Sequence, residues 1–338
     1  MDDFDLDRYL RASKKVDLTG VSWEAIRDHP LPVAEARCLA YMMDIESHTV
    51  IFLRDLLATR AAFDPEVTAF LSCWVYEELW HGEAFSRFLG EAGYHLAPDG
   101  ERVWGDAPYP TRNARNTWIR RRVGAKGYMS HVATLAAAAV FKDFVALHMT
   151  WGALNELTTL TGYHRLIAKT RHPVLVELLQ RIIKDERRHF AFYRSQARMR
   201  LARSRQARSV TRWAVEHLWA PVGTGVRPQE ETDFVIAWLF GDHDGRAAAE
   251  EIDLTMAELP GFAATRVARD ALSETLRRME AGRRIPGWYA DRPWNGQRSS
   301  WRPAPPPSRP RSWPPRERPS STTEDRAMAP SSARSPKA

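Results

Sequence analysis

The sequence has few cysteines, no long apolar runs and almost none of the alternating pattern that β-strands need. Its two cysteines, Cys38 and Cys73, lie within apolar helical patterns, which argues against a disulfide framework or a thiolate metal site. The longest apolar run, 132–141, ends at Lys142 and is shorter than the ~18 residues of a membrane span. Residues 1–7 are acidic, unlike a secretory signal. We therefore predict a cytoplasmic protein without a transmembrane segment.

The excess of positive charge is concentrated near the carboxyl end. The formal net charge is +7, and residues 285–338 contain ten basic residues, four acidic residues and 12 of the 22 prolines. Such a composition cannot bury enough apolar surface to offset the entropy of folding. We predict a disordered tail rich in Pro, Arg and Ser at 285–338. Residues 1–284 are then nearly neutral, so the basic composition does not indicate nucleic-acid binding.

Apolar residues recur at helical spacing through most of the first 284 residues. Start signals for helices occur at Asp64-Pro65 and at His172-Pro173. The pattern predicts long helices at about 33–60, 65–90, 131–169 and 173–203, and shorter helical segments at 211–219, 230–240 and 245–279. We predict an all-α domain at 1–284, with a four-helix bundle at about 33–203 and accessory helices at about 211–284.

Two Glu-x-x-His motifs lie within these helical patterns. They are Glu78 with His81, and Glu186 with His189. Side chains three residues apart project from one face of a helix, so a carboxylate and an imidazole can reach the same metal ion. A single copy of this motif is weak evidence, because Glu and His are common on solvated helix faces. Two copies in separate long helices indicate a metal centre more strongly.

Each motif follows a long helix that carries an isolated acidic residue in apolar surroundings. Glu46 lies 32 residues before Glu78, and Glu156 lies 30 residues before Glu186. An antiparallel helical hairpin needs about this separation to bring its mid-helix positions level, given the ~1.5 Å rise per residue. Asp44 competes with Glu46 for this role, but Glu46 lies on the apolar stripe of its helix. Two such hairpins would gather four carboxylates and two imidazoles.

A cluster of four buried carboxylates is costly unless cations compensate its charge. Two divalent ions balance four carboxylates, and oxygen donors with one imidazole per ion suit iron or manganese. Glu combined with Glu-x-x-His is also the ligand pattern of di-iron and di-manganese helical bundles. The sequence therefore predicts two iron ions, or manganese in their place, ligated by Glu46, Glu78, His81, Glu156, Glu186 and His189.

The two motif helices resemble those of the soluble acyl-(acyl carrier protein) desaturases of the ferritin-like superfamily. The first motif extends from Trp74 to Glu83 and is similar to that family's Trp-x-x-Glu-Glu-x-x-His-Gly-acid signature. The second reads Asp185-Glu-Arg-Arg-His189 and is similar to its Asp-Glu-x-Arg-His signature. Thr159 follows Glu156 by three residues, as a threonine does in that family. The resemblance covers about 33–203, roughly half of the chain.

The resemblance implies a di-iron centre in which Glu78 and Glu186 are the bridging ligands. Asp185 would accept the free ring N–H of His81, and Thr159 would donate a hydrogen bond to bound oxygen. Thr159 has an alternative role, a hydrogen bond back to its own helix. The implied protein is a homodimer that receives electrons from a ferredoxin or a flavoprotein.

The implied reaction is the oxidation of an acyl chain, whether or not it is carried on acyl carrier protein, by dioxygen and external electrons. Loss of two hydrogens would give desaturation, and oxygen rebound would give hydroxylation. A di-iron N-oxygenase is an alternative, although Ile182 stands where those enzymes add a histidine. A ribonucleotide reductase small subunit would place a radical tyrosine four residues after the first motif histidine, where this chain has Phe85. From another class, the chain could be a ferritin-like protein that oxidises or stores iron, or a metal-binding scaffold without turnover.

Two basic clusters suggest a contact with an acidic partner. One lies at 112–126 and the other at 194–212. A solvated helix face is the simpler explanation for each cluster. Docking of an acidic carrier protein is the functional alternative, and it would make the association sensitive to salt.

Overall fold

The computed structural model describes residues 4–94 and 125–282, and every regular element in these ranges is helical. The ten α-helices of the described residues are α1 (Leu6–Ala12), α2 (Val33–Leu57), α3 (Pro65–Glu91), α4 (Ala125–Val140), α5 (Phe144–Lys169), α6 (Pro173–Arg203), α7 (Arg205–Leu218), α8 (Gln229–Phe240), α9 (His243–Ala257) and α10 (Val267–Gly282). Short 3-10 helices occupy Glu24–Asp28 and Arg60–Phe63. The all-α prediction is confirmed. None of the helices in the described ranges combines the length and the hydropathy needed to cross a membrane.

Helices α2 and α3 pack side by side in opposite directions. The Tyr94 hydroxyl, beyond the end of α3, donates to the carbonyl of Leu31 before the start of α2 at 2.9 Å. Asp64 caps α3 by accepting from the backbone N–H groups of its first turn, and Pro65 fits there because that position needs no N–H donor. A Cβ at Gly82 would lie 2.7 Å from Ser47 Oγ. This glycine therefore allows the close approach of the two helices beside the first motif.

Helices α5 and α6 form the second close pair. His172 caps α6 through Nδ1, which accepts from the Leu175 N–H at 3.3 Å. The opposite end of α6 reaches the start of α5, where Ser204 Oγ donates to Asp143 Oδ2 at 2.8 Å. Helix α3 also contacts α6. As a result, both motif helices and both helices with an isolated glutamate share one apolar core.

The structure divides two predicted helical segments. The segment at 131–169 is interrupted after α4, because the Phe144 N–H bonds to the Phe141 carbonyl three residues back and the chain tightens into a turn. The segment at 245–279 is interrupted after α9, where Pro260 cannot donate to a helix and Gly261 adopts a φ of 95°. Helix α1 and the two 3-10 helices were not predicted. The predicted tail at 285–338 and the basic cluster at 112–126 lie outside the residues whose side chains are described.

Candidate metal centre

All six predicted metal ligands are buried at the centre of the long helices. Because each motif pair is three residues apart, both of its side chains face the neighbouring helices. The exposed fractions are 0% for His81, Glu186 and His189, 2% for Glu78, 4% for Glu46 and 6% for Glu156. Burial this complete is exceptional for carboxylates unless they are paired with cations or coordinate a metal ion.

The six side chains form two groups, each of which could hold a metal ion. The His81 group contains Glu46, Glu78, His81 and Glu186, and the His189 group contains Glu78, Glu156, Glu186 and His189. Within each group the ligand atoms lie within 4.8 Å of one another. Glu78 and Glu186 belong to both groups, which is the position that bridging carboxylates would occupy.

The histidines present the same ring nitrogen to the shared carboxylates. His81 Nδ1 lies 3.2 Å from both Glu78 Oε2 and Glu186 Oε1. His189 Nδ1 lies 3.0 Å from Glu78 Oε1 and 3.7 Å from Glu156 Oε2. Each Nδ1 therefore points into its group and leaves Nε2 for an outer partner.

Acidic residues outside the two groups contact the Nε2 atoms. Asp185 Oδ2 lies 3.2 Å from His81 Nε2, the contact that the resemblance implied. Glu77 Oε2 lies 2.7 Å from His189 Nε2. The Arg188 guanidinium donates to both acids, at 2.6 Å to Asp185 and 3.1 Å to Glu77. Such carboxylates orient a ligating imidazole and fix its tautomer.

Glu77 is a residue of the candidate centre that the sequence analysis did not assign. The signal was present, because an acidic residue directly precedes the glutamate of both motifs: Glu77 before Glu78, and Asp185 before Glu186. Glu77 is fully buried and also accepts from the Tyr9 hydroxyl of α1 at 2.9 Å. Helix α1, which was not predicted, thus closes this side of the centre.

The two isolated glutamates each accept a hydrogen bond from an aromatic residue. The Tyr163 hydroxyl donates to Glu46 Oε1, and Trp74 Nε1 donates to Glu156 Oε1 at 3.0 Å. The competing candidate Asp44 instead pairs with Arg227 at 2.9 Å and belongs to neither group. Neither aromatic contact could be read from spacing along one helix, because each joins two different helices.

Burial and neighbouring charges shift the pKa values of four of the predicted ligands. Burial, reinforced by the charge of Glu78, raises the pKa of Glu46 well above its usual range, and burial likewise raises that of Glu156. Burial alone would lower the pKa of His81 and His189, but the carboxylates that surround the two rings hold both pKa values well above the ordinary value. Metal ions bind deprotonated ligands, so they would displace these protons.

Unpartnered atoms in the centre fit a metal better than they fit an internal hydrogen-bond network. Both carboxylate oxygens of Glu186, and Nδ1 of His189, are buried and lie 3.0–3.8 Å from neighbouring ligand atoms, but none of these contacts among the described residues has the geometry of a hydrogen bond. A buried unsatisfied carboxylate is strongly unfavourable. Ions shared by Glu186 with the other ligands would satisfy these atoms, and the oxygen-rich donor set suits iron or manganese.

An apolar cavity lies against the His81 group. It contains about 720 Å³ of space between atoms, part of it open to solvent. Glu46, Thr159 and Tyr163 contribute polar groups to its lining, while α8, α9 and α10 contribute apolar side chains such as Leu239 and Ile252. The predicted accessory helices therefore form a wall of the cavity beside the candidate centre.

Thr159 differs from the threonines around it. The hydroxyls of Thr158 and Thr161 bond back to carbonyls of α5, at 2.8 and 2.7 Å. The half-buried Thr159 makes no such bond within the described residues and lines the cavity. Its hydroxyl is therefore available to a molecule in the cavity, as its predicted role requires.

The basic cluster at 194–212 is largely engaged within the chain. Arg194 pairs with Glu258, and Arg200 pairs with Asp64 at 2.6 Å. Arg212 pairs with Glu216 at 2.9 Å, and Arg208 donates to backbone carbonyls of α6. These contacts reduce the positive charge available to an acidic partner. The simpler explanation of this cluster, a solvated helix face with local pairing, is therefore favoured.

Comparison with models of protein families, with curated proteins and with solved structures finds no match to this chain. Fold and site together define the class of protein. The described elements of the chain are all helical, and they contain two adjacent, buried carboxylate-histidine groups that could hold metal ions.

Proposed function

We propose that this chain is a di-iron oxidase of the ferritin-like superfamily that uses dioxygen and external electrons to desaturate or hydroxylate an acyl chain. The observation that carries the proposal is the pair of buried ligand groups that share Glu78 and Glu186 beside an apolar cavity. Two iron ions, when bound, would supply the reduction of dioxygen and the oxidation of an unactivated C–H bond.

The protein residues would hold the metals, orient their ligands and exclude water. Glu77 and Asp185 fix the two imidazoles through Nε2, and Arg188 joins the two acids. The apolar wall would limit the access of solvent to the end of the cavity beside Glu46. The Thr159 hydroxyl faces the cavity beside Glu46 and can donate a hydrogen bond to oxygen held there.

The cavity lining supports an apolar substrate. Among the described residues that line the cavity, Glu46 is the only ionisable acid or base other than the phenols of Tyr41 and Tyr163, and these residues include no lysine, arginine or histidine that could bind a carboxylate or a phosphate. A hydrocarbon chain fits this chemistry, with any charged group left outside the cavity. We therefore favour an acyl carrier protein thioester or another small molecule with an apolar chain. From the resemblance alone, we also propose that the protein is a homodimer and that a ferredoxin or a flavoprotein delivers its electrons.

Two other functions make different demands on the cavity. An iron-oxidising or iron-storing protein has no need of an apolar cavity next to its ligands. An N-oxygenase would need polar groups to bind an amine, whereas most of the described residues that line the cavity are apolar. The cavity thus favours oxidation of an apolar chain over both alternatives.

The test begins with the full chain loaded anaerobically with ferrous iron. Dioxygen, a reduced ferredoxin or flavoprotein, and acyl thioesters of increasing chain length are then added, and the products are analysed by mass spectrometry. Loss of two hydrogens identifies a desaturase, and gain of one oxygen identifies a hydroxylase. If iron is oxidised once in stoichiometric amount and every candidate substrate is recovered unchanged, the proposal is wrong and iron oxidation is the better description.

Thr159 and Thr158 provide a matched pair for this test. Both line the cavity, but only the Thr158 hydroxyl is occupied by a bond to the Asn155 carbonyl. Thr159→Val is expected to increase the oxygen consumed per product formed, whereas Thr158→Val should leave this ratio near the wild-type value. Equal behaviour of the two variants would remove the assigned role of Thr159.

A further inference from the structure

The segment between α7 and α8 lies between the cavity and the solvent. We call this segment, residues 219–228, the strap. Pro221 and Val222 of the strap line the cavity, whereas Thr224 and Gly225 are exposed to solvent. The lining residues of α9 are by contrast buried. The strap is therefore a part of the cavity wall that has solvent on its outer side.

The middle of the strap forms backbone hydrogen bonds with itself. The Thr224 N–H donates to the Pro221 carbonyl at 3.0 Å, and the N–H groups of Val226 and Arg227 donate to the Gly223 carbonyl at 3.0 and 3.1 Å. Gly223 adopts a φ of 93°, a value that residues with a side chain rarely adopt. This part of the strap can therefore move as one unit without breaking these bonds.

Two contacts, which we call the latch, hold the middle of the strap against α2. The Tyr41 hydroxyl donates to the Val222 carbonyl at 2.6 Å, and the Arg227 guanidinium pairs with Asp44 at 2.9 Å. Tyr41 and Asp44 are both buried and lie about one turn apart on α2. A Cβ at Gly223 would lie 2.1 Å from the Tyr41 hydroxyl, so a glycine is required for this close approach.

Both ends of the strap are fixed, while one atom of its middle lacks a partner. Trp219 Nε1 donates to Asn155 Oδ1 of α5 at 2.9 Å, and Pro228 directly precedes the first turn of α8. Arg227 Nε is buried and has no hydrogen-bond partner among the described residues. Opening of the strap would let water hydrate this N–H group, which offsets part of the cost of breaking the latch.

We propose that the strap is the entrance gate of the cavity and that it opens when the contacts of Tyr41 with Val222 and of Arg227 with Asp44 break. This inference rests on the proposed function, because the molecule admitted is its apolar acyl chain. The strap is closed both before and after the chain enters. Weakening of the latch therefore raises the rates of entry and exit by the same factor and leaves the affinity unchanged.

The test is the binding of parinaric acid, a fluorescent polyene fatty acid, to the iron-loaded full chain without dioxygen. Stopped-flow fluorescence gives the association rate, the dissociation rate and the Kd. Tyr41→Phe should raise both rates by about 2- to 13-fold, as expected for the loss of one hydrogen bond, with the Kd unchanged. Tyr94→Phe is the matched control, because it loses a buried hydroxyl that donates to the Leu31 carbonyl away from the strap. It should leave both rates at the wild-type values.

A second variant breaks the other half of the latch. It is needed because Tyr41→Phe also removes a contact of the hydroxyl with Thr232 Oγ1 at 3.0 Å. A chain that carries both Asp44→Asn and Arg227→Gln loses the ion pair without leaving a single charge buried. It should also raise both rates and keep the wild-type Kd. If Tyr41→Phe does not fold, this variant decides the test.

The inference requires this result from every latch variant that folds. Rates that stay at the wild-type values refute it and leave the proposed function standing. A change in the dissociation rate alone, with a changed Kd, makes Tyr41 a contact of the bound chain instead of a part of the gate, and it refutes the inference as well. If the wild type does not bind the fatty acid, the apolar substrate of the proposed function is wrong and the inference fails with it.

Discussion

Replacement of Glu77 by glutamine is expected to weaken metal binding in the His189 group without removing a ligand. The Glu77 carboxylate is fully buried and accepts from His189 at 2.7 Å, from Arg188 at 3.1 Å and from Tyr9 at 2.9 Å. A glutamine of the same shape has one carbonyl oxygen, so its NH2 group must face a donor, either the imidazole or the guanidinium. The substitution therefore removes a charge-assisted hydrogen bond and the negative charge that supports the imidazole.

Loss of such an outer carboxylate typically reduces metal affinity by about 10- to 100-fold, which corresponds to about 1.4–2.7 kcal/mol. Stepwise anaerobic titration with ferrous iron against a coloured chelator measures both sites. Glu77→Gln should weaken one site by this factor, while the other site, supported by Asp185 through His81, stays close to the wild type. Asp185→Asn should show the converse pattern.

Tyr9→Phe is the control for this experiment. It removes one neutral donor from the same carboxylate but leaves the charge and the contact with His189, so its effect on metal affinity should be much smaller than that of Glu77→Gln. Unchanged binding of both ions by Glu77→Gln, or equal weakening at the two sites, would refute the assignment of Glu77 to the His189 group.

Three further predictions concern stability and the cavity. Gly152→Ala should be destabilising, because its Cβ would lie 2.3 Å from the Tyr193 ring. Gly162→Ala, whose Cβ meets Leu239 at 3.7 Å, should instead stabilise α5 by up to ~1 kcal/mol through helix propensity. Urea unfolding compares the two variants, and the reverse order of stability would contradict the packing described. Burial lowers the pKa of His148 to about 3, so the stability that its neutral form provides is complete above the unfolded-state pKa of ~6.5 and is lost as the pH falls toward 3. The free energy of unfolding should therefore fall by about 2 kcal/mol between pH 7 and pH 5 because of His148. His148→Leu should lack this part of the fall. An identical pH dependence in the two proteins would show that His148 is not held neutral. Ala268→Leu reduces the space along the α10 wall of the cavity and should shift binding toward shorter acyl chains. Displacement of a fluorescent probe from the metal-free protein measures this preference, and an unchanged preference for chain length would refute the prediction.

Spacing along the chain was sufficient to predict the six residues that the structure brings together. The separations from Glu46 to Glu78 and from Glu156 to Glu186 correspond to antiparallel helix pairs, and helical period places both motifs on inward faces. The choice of Glu46 over Asp44 followed from the apolar stripe, and the structure accounts for Asp44 by its pairing with Arg227.

The features that were missed depend on contacts between helices. Trp74 and Tyr163 reach Glu156 and Glu46 from other helices, and periodicity within one helix cannot reveal such a contact. Phe85 follows the first motif histidine by four residues, and the phenol near the His81 group instead comes from Tyr163 of α5, which packs on Phe85. The turn before α5 was also missed, because no glycine or proline separates the apolar run at 132–141 from Phe144.

The central claim is that the two buried groups hold two metal ions. The most direct measurement is the metal content of the purified full chain after anaerobic loading with ferrous iron and removal of excess metal. The account predicts two ions per chain in the wild type and a clear loss in Glu78→Ala and in His189→Ala. A wild type with fewer than two ions, or variants with unchanged metal content, would contradict it.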